Sequence, residues 1–361
     1  MSEIKVGVIG CGYWGPNLIR NFSCCPLTQL VAVCDRDQKR LDSIGGKYAG
    51  VKLCSALDDL LELELDAVAI ATPVSTHFDL ASQCLKAGFH VLVEKPLAAS
   101  VEEATQLVDL ADTAGRILMV DHTYLYGNPV RRIREIIESG DLGDLYYIDS
   151  VRINLGLFQH DINVIWDLAP HDLSIVDYVL GWQARSVSAW GCAHGNPDVE
   201  NVAYMNLDYG ERMLANVHVN WLSPVKLRQM IFAGSRKSLV FNDLNPTEPI
   251  KVYDRGVEFS NADEQRRKLQ VGYRTGDVWS PHIEPREALQ TMVTHFAECI
   301  LENRPPITDA NQGLRIVKYL EAATRSIRAQ GGRIVLDYGL HHDGIYNGHS
   351  NGKRQLLANR A

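Results

Sequence analysis

Residues 5–15, Lys-Val-Gly-Val-Ile-Gly-Cys-Gly-Tyr-Trp-Gly, place a short apolar run directly before Gly10-x-Gly12-x-x-Gly15 and an amphipathic stretch. Few folds tolerate that arrangement so close to the first residue. A strand ending on Gly10 can turn tightly, and Gly12 removes bulk where a backbone must approach a pyrophosphate. Gly15 lets the following helix pack closely on the strand. The free amides of the helix N-terminus then favour an anion. Asp35 stands 20 residues past Gly15, at the end of the next apolar run, where a carboxylate can accept from both ribose hydroxyls. The pattern predicts a dinucleotide site using Gly10, Gly12, Tyr13, Trp14, Gly15, Asp35 and Arg36. Asp35 favours NAD over NADP because it would repel a 2′-phosphate; Arg36 can pair with such a phosphate or lie on the adenine face.

Apolar runs at 5–10, 29–35, 66–72, 89–94 and 116–121 alternate with amphipathic stretches such as 77–87 and 101–113. Ser100 with Glu103 three residues on forms a capping box before the second of these. Alternation of this kind predicts βαβ units and a parallel sheet covered on both faces. Beyond residue 123 the pattern changes. A helix at 129–139 leads through Gly140 and Gly143 into long period-two segments. In 213–221, Ala215, Val217, Val219 and Trp221 share one face, while Asn216, His218 and Asn220 share the other. That predicts a large, mostly antiparallel open sheet, with helices at 286–302 and 310–330 and a short strand at 333–338. The fold class is α/β. Residues 1–122 form a Rossmann dinucleotide-binding domain, 123–338 a substrate-binding and oligomerisation domain, and 339–361 a mobile tail. His341, His342 and His349 in that tail have no acidic or cysteine partner placed with them, and no resident metal is expected.

A formal charge of −8 argues against a nucleic-acid-binding face. No run approaches the apolar length of a membrane span, and no targeting segment is read. The eight cysteines show no Cys-x-x-Cys spacing and read as small buried hydrophobes of a reducing, cytoplasmic compartment.

Two further segments carry chemistry. Glu94-Lys95-Pro96 puts a lysine at the carboxyl edge of the sheet, where open α/β proteins place ligands. Trp166-Asp167-Leu168-Ala169-Pro170-His171 begins a helix, with Pro170 expected in its first turn, and Asp167 and His171 share a face. A proton-shuttling histidine, a carboxylate to orient it and a nearby ammonium are what alcohol oxidation by NAD requires. Taken singly, these residues are ordinary: a surface charge, a helix cap and a helix histidine.

Together with Thr72-Pro73-Val74-Ser75-Thr76-His77, the glycine fingerprint, Glu94-Lys95-Pro96 and Asp167-x-x-x-His171, the chain resembles the glucose–fructose oxidoreductase/inositol dehydrogenase (Gfo/Idh/MocA) family over residues 1–338. The resemblance implies Lys95, Asp167 and His171 as catalytic residues, with His171 the general base and Asp167 orienting it or meeting a sugar hydroxyl. It adds Thr72, Pro73, His77, Glu94 and Lys95 to the cofactor site. Asn163-Val164-Ile165-Trp166 replaces the usual Gly-Gly, so Trp166 is expected to reshape the sugar pocket. Gly-Tyr-Trp-Gly-Pro-Asn and Trp-Asp-Leu-Ala-Pro-His-Asp are similar to a branch that oxidises the 3-hydroxyl of UDP-N-acetylhexosamines or their uronates. Asn154, Asn163, Trp166, Lys95, Asp167 and His171 are then substrate candidates, and Arg152, Arg228 and Arg274 diphosphate candidates. A free cyclitol or monosaccharide is the alternative substrate, and a non-catalytic NAD-binding sensor the alternative of another class. The resemblance and the polar strand faces also imply a homodimer or homotetramer.

Overall fold

The computed structural model describes residues 3–156, 162–195, 199–210, 213–259 and 271–338. The expected tail at 339–361 lies outside them.

Strands β1 (Ile4–Ile9), β2 (Thr28–Cys34), β3 (Lys52–Cys54), β4 (Ala67–Ile70), β5 (His90–Glu94) and β6 (Leu118–Asp121) form a parallel sheet in the order β3-β2-β1-β4-β5-β6. All but the edge strand β3 are buried along most of their length because helices cover both faces, as the continuous apolar runs require. Those helices include α1 (Gly15–Cys24), α2 (Gln38–Gly45), α3 (Leu57–Leu61), α4 (His77–Lys86) and α5 (Val101–Ala114). The order reverses between β1 and β4, which opens a crevice at the carboxyl ends of the strands. Short β3 is too brief to show in the sequence pattern.

After α6 (Asn128–Glu138) comes the second sheet: β7 (Leu145–Leu155), β8 (Ser186–Cys192), β9 (Val202–Gly210), β10 (Met213–Asn220), β11 (Leu222–Gly234), β12 (Ser238–Asn242), β13 (Ile250–Phe259), β14 (Val271–Trp279) and β15 (Ile334–Val335). Its order is β14-β13-β12-β11-β7-β10-β9-β8-β15. All its pairings are antiparallel except β7 with β10. Ala215, Val217 and Val219 are fully buried, as the alternation requires. Helices α7 (Val164–Leu180) and α9 (Ala310–Arg328) pack on that face, and α8 (Ala288–Glu302) packs against α1. On the opposite face Tyr147, Trp190, Tyr204 and Leu214 are exposed.

The chain closes back on the first sheet. Thr308 donates to Val120 O and its amide-linked carbonyl accepts from Val120 N. Arg20 of α1 makes a two-pronged ion pair with Glu287, which also accepts from Asn21. Six cysteines are buried as expected, whereas Cys24 and Cys192 are exposed.

Candidate active site

A cleft of about 1740 Å³ runs along the carboxyl edge of the parallel sheet and under the second sheet. At one end lies the glycine loop. Gly10 has φ +96°, and a Cβ there would stand 2.5 Å from Ala71 O. A Cβ on Gly15 would collide with the Gly10 carbonyl oxygen. At Gly12 the added atom would meet only Arg40 Nη1 at 3.6 Å, so that backbone is open to a ligand. Asp35 accepts from the amides of Cys11 (2.6 Å) and Asp37 (2.8 Å), which ties the carboxylate to the loop. This cradle and the carboxylate beside it fit a dinucleotide. Arg40, which the motif did not single out, lies 3.8 Å from Asp35 and lines the cleft with Arg36. Tyr13 is 90% exposed at the mouth, whereas Trp14 Nε1 donates to Asp121.

Thr72, Pro73, Glu94 and Lys95 line the cleft beside the glycine loop. His77 does not. Buried at the start of α4, it has Nδ1 2.9 Å from Pro96 O and Nε2 2.9 Å from Thr72 O, so the single N–H of the neutral ring donates to one of these carbonyls and fixes the loop rather than meeting a ligand.

Helix α7 supplies the opposite wall. Asn163 caps it by accepting from Trp166 N and donates to Glu200; Trp166 is buried and donates to Thr324 of α9. Neither lines the cleft, so both substrate expectations are corrected: cap and core packing occupy these side chains. Pro170 is the seventh residue of α7, not part of its first turn. Its missing N–H leaves Trp166 O without an intrahelical donor, and its ring presses on that turn. The next carbonyl, Asp167 O, accepts from Lys95 Nζ at 2.9 Å.

Lys95, Asp167 and His171 all reach the cleft. Lys95 Nζ also lies 3.4 Å from Asp167 Oδ1, while Oδ2 accepts from Trp221 Nε1 at 3.0 Å. The carboxylate therefore holds the lysine, and no hydrogen bond joins it to His171. His171 instead meets the ring of Tyr124 edge-on at 5.2 Å between centroids, and its Nδ1 is buried without a partner among the described residues. Burial lowers the His171 pKa well below the usual histidine range, helped by Lys95, Arg152, His122 and Arg228. The imidazole is thus held neutral, as a base must be.

Tyr124 anchors that wall. Its hydroxyl accepts from Arg152 and Arg228 and donates to Asp243, all at 3.1 Å. Arg152 is buried in a bidentate pair with Asp172, so its expected diphosphate contact is corrected. Arg228 and Asn154 do line the cleft; Arg274 lies on the β13–β14 hairpin against Asp254 and does not. Sequence reasoning missed Tyr124, Trp221, Asp243 and Asp121, which tertiary packing alone brings here. Among the described residues no three His, Cys, Asp or Glu side chains gather in a metal-binding group.

A family model described as an oxidoreductase family with an NAD-binding Rossmann fold matches residues 4–122, and a GFO/IDH/MocA C-terminal domain model matches residues 130–240. UDP-N-acetylglucosamine 3-dehydrogenase of Acidithiobacillus ferrooxidans is 28% identical over 324 residues, covering 88% of this chain and 95% of that protein. Its solved structure superposes with a TM-score of 0.76, covering 91% of this chain and 99% of that one at 25% identity. D-apiose dehydrogenase of Rhizobium rhizogenes is 26% identical over 61% of this chain and 67% of its own. GenD2 from gentamicin A biosynthesis, solved with NAD, shares the fold with a TM-score of 0.77 at 22% identity, covering 93% and 97% of the two chains.

Proposed function

The chain belongs to the Gfo/Idh/MocA oxidoreductase family, and on that premise we propose that it uses NAD to oxidise a secondary hydroxyl, the 3-hydroxyl, of a UDP-N-acetylhexosamine or its uronate to a keto sugar. One observation carries the reading. The cleft of about 1740 Å³ continues from the glycine loop to Arg228 and Asp243, well beyond the ~1,000 Å³ at the upper end of small-molecule sites. That size suits a dinucleotide together with a second ligand larger than a free monosaccharide. The likeness to UDP-N-acetylglucosamine 3-dehydrogenase along almost its whole length supports the same choice.

In this reading residues 1–122 hold the cofactor, through the glycine loop, Asp35, Thr72, Pro73 and Glu94, and residues 123–338 hold the sugar. NAD, when bound, supplies the acceptor for the hydride that leaves the reacting carbon. His171, neutral and facing the cleft, takes the hydroxyl proton. Lys95, held by the carbonyl and carboxylate of Asp167, turns its ammonium toward the oxygen that gains negative charge. Asn154 and Arg228 line the part of the cleft left for the rest of the substrate.

The test is the initial rate of NADH formation with UDP-N-acetylglucosamine, its uronate, D-apiose and myo-inositol. Highest kcat/KM is expected with a nucleotide sugar. A preference for a free sugar or cyclitol would replace the substrate assignment, and NAD binding with no turnover on any of them would favour a sensor.

The open face of the second sheet supports a homo-oligomer. Tyr147, Trp190, Tyr204 and Leu214 stand exposed on neighbouring strands. A second copy packed there about a twofold axis would bury the same patch on both subunits.

A further inference from the structure

The cleft floor holds a pair of carboxyl groups to which the mechanism above gives no part in proton transfer. Glu94 and Asp121 end β5 and β6 and are cross-strand partners, so two carboxyl groups stand side by side. Asp121 is buried; its Oδ2 accepts from Trp14 Nε1 at 3.0 Å and its Oδ1 from the Thr123 hydroxyl. Glu94 Oε2 accepts from the Lys95 amide at 3.1 Å, while Oε1 is buried with no hydrogen-bond partner among the described residues. Adjacent buried carboxyls do not both hold charge, and one shared proton gives the orphan oxygen a role. Burial, then Asp121, raises the Glu94 pKa well above the carboxylate range, with Lys95 opposing.

The sheet order fixes where this pair lies relative to the cofactor. The glycine loop follows β1 and Asp35 follows β2, so the adenosine half occupies the β2 side. The other half then crosses to the ends of β4, β5 and β6, where both carboxyls line the cleft. An oxidised nicotinamide ring is a cation, and a reduced one is neutral.

We propose that Glu94 and Asp121 share one proton in the empty site, release it when oxidised cofactor binds and keep it when reduced cofactor binds. The pair is then a proton-linked sensor of cofactor redox state. When an alcohol is oxidised the pair takes a proton back as the ring loses its charge, balancing the proton that the hydroxyl gave up. The net proton of the reaction therefore leaves at cofactor exchange.

Other groups around the pair are Lys95 just after β5, Asp167 against it, and three histidines. His122 follows Asp121 and is pushed by burial down to about 3, while burial also lowers His77 on α4 and His171 on α7. These histidines have no proton to lose near neutral pH. Lys95 opposes the pair with its positive charge, and the test must separate its contribution.

The inference rests on the NAD reading above. Titration calorimetry of the full chain without substrate, in two buffers of different ionisation enthalpy, counts protons released per cofactor. Approaching one proton is expected with NAD⁺ and close to none with NADH. NAD⁺ affinity should rise by up to about tenfold per pH unit while NADH affinity stays flat. Lys95→Met should retain this difference. Glu94→Gln and Asp121→Asn, each verified as folded by its melting curve and by NADH binding, should abolish it. Equal proton counts for the two cofactors overturn the proposal, as does a difference that survives Glu94→Gln or vanishes in Lys95→Met. Binding of neither cofactor would overturn it together with the NAD reading.

Discussion

At the scale of single residues, the site is a set of charges held by partners rather than by one another. Lys95→Met removes a group that faces developing charge and should lower kcat by two or more orders of magnitude with little change in NADH affinity. Wild-type turnover from a folded variant would exclude the role. Trp221→Phe keeps the bulk but frees Asp167 Oδ2 from its 3.0 Å donor. We expect a roughly tenfold loss in kcat/KM, of the order that one hydrogen bond to a charged group contributes. Asp35→Ser should shift kcat/KM toward NADP, because Arg36 and Arg40 would remain beside the vacated position. An unchanged cofactor ratio would remove Asp35 from the ribose site. Arg152→Leu is different in kind. It strands Asp172 in the core, and truncating a buried pair costs about 3–5 kcal/mol, so the variant should lose stability before it loses chemistry.

At the scale of elements, α7 shows how a locally poor choice serves a site. Proline in a helix interior costs about 3 kcal/mol or more, yet here it opens the turn whose Asp167 carbonyl receives Lys95. Pro170→Ala should therefore raise the unfolding midpoint, by returning a donor to Trp166 O, and lower kcat several-fold, because relaxing the turn shifts the adjacent Asp167 carbonyl that holds Lys95. Paired urea melts and steady-state rates would check both halves, and a variant both more stable and fully active would refute the link. The strands and the glycine loop were readable because their rules are local: period-two burial in β9 and β10, and a collision with Gly10 O for any residue but glycine at 15. The helix motif around Asp167 was readable as residues but misread as a unit. Its spacing suggested that the carboxylate serves His171, whereas Trp221 and Lys95 claim it. Nothing in the spacing encodes that Trp221, 54 positions later, directly follows β10, a strand packed against α7. Asn163 and Trp166 were misplaced for the same reason, since which face a helix turns to the cleft depends on its neighbours.

At the scale of the whole molecule, the two sheets act as one frame around the cleft, and that frame is built with neutral histidines. Thr308 ties the α8–α9 connection to β6, and Arg20 ties α1 to Glu287, so the cleft walls are joined at both ends. Inside the frame, burial holds His122 down at about 3 and His90 and His295 at about 4, with His77 and His171 also lowered. Each would titrate near 6.5 in the unfolded chain. As pH falls below about 6.5 the unfolded state takes up protons that the folded state refuses, so stability is complete above that value and is lost progressively toward pH 4. The urea midpoint should fall steadily across that window, with proton uptake on unfolding. His122 sharpens the test, because both its ring nitrogens are buried without partners among the described residues. His122→Phe removes two unsatisfied polar atoms along with the titration. It should match or exceed wild-type stability at pH 7 and show a shallower decline below 6. A slope as steep as wild type would mean that the acid sensitivity of the frame resides in other groups.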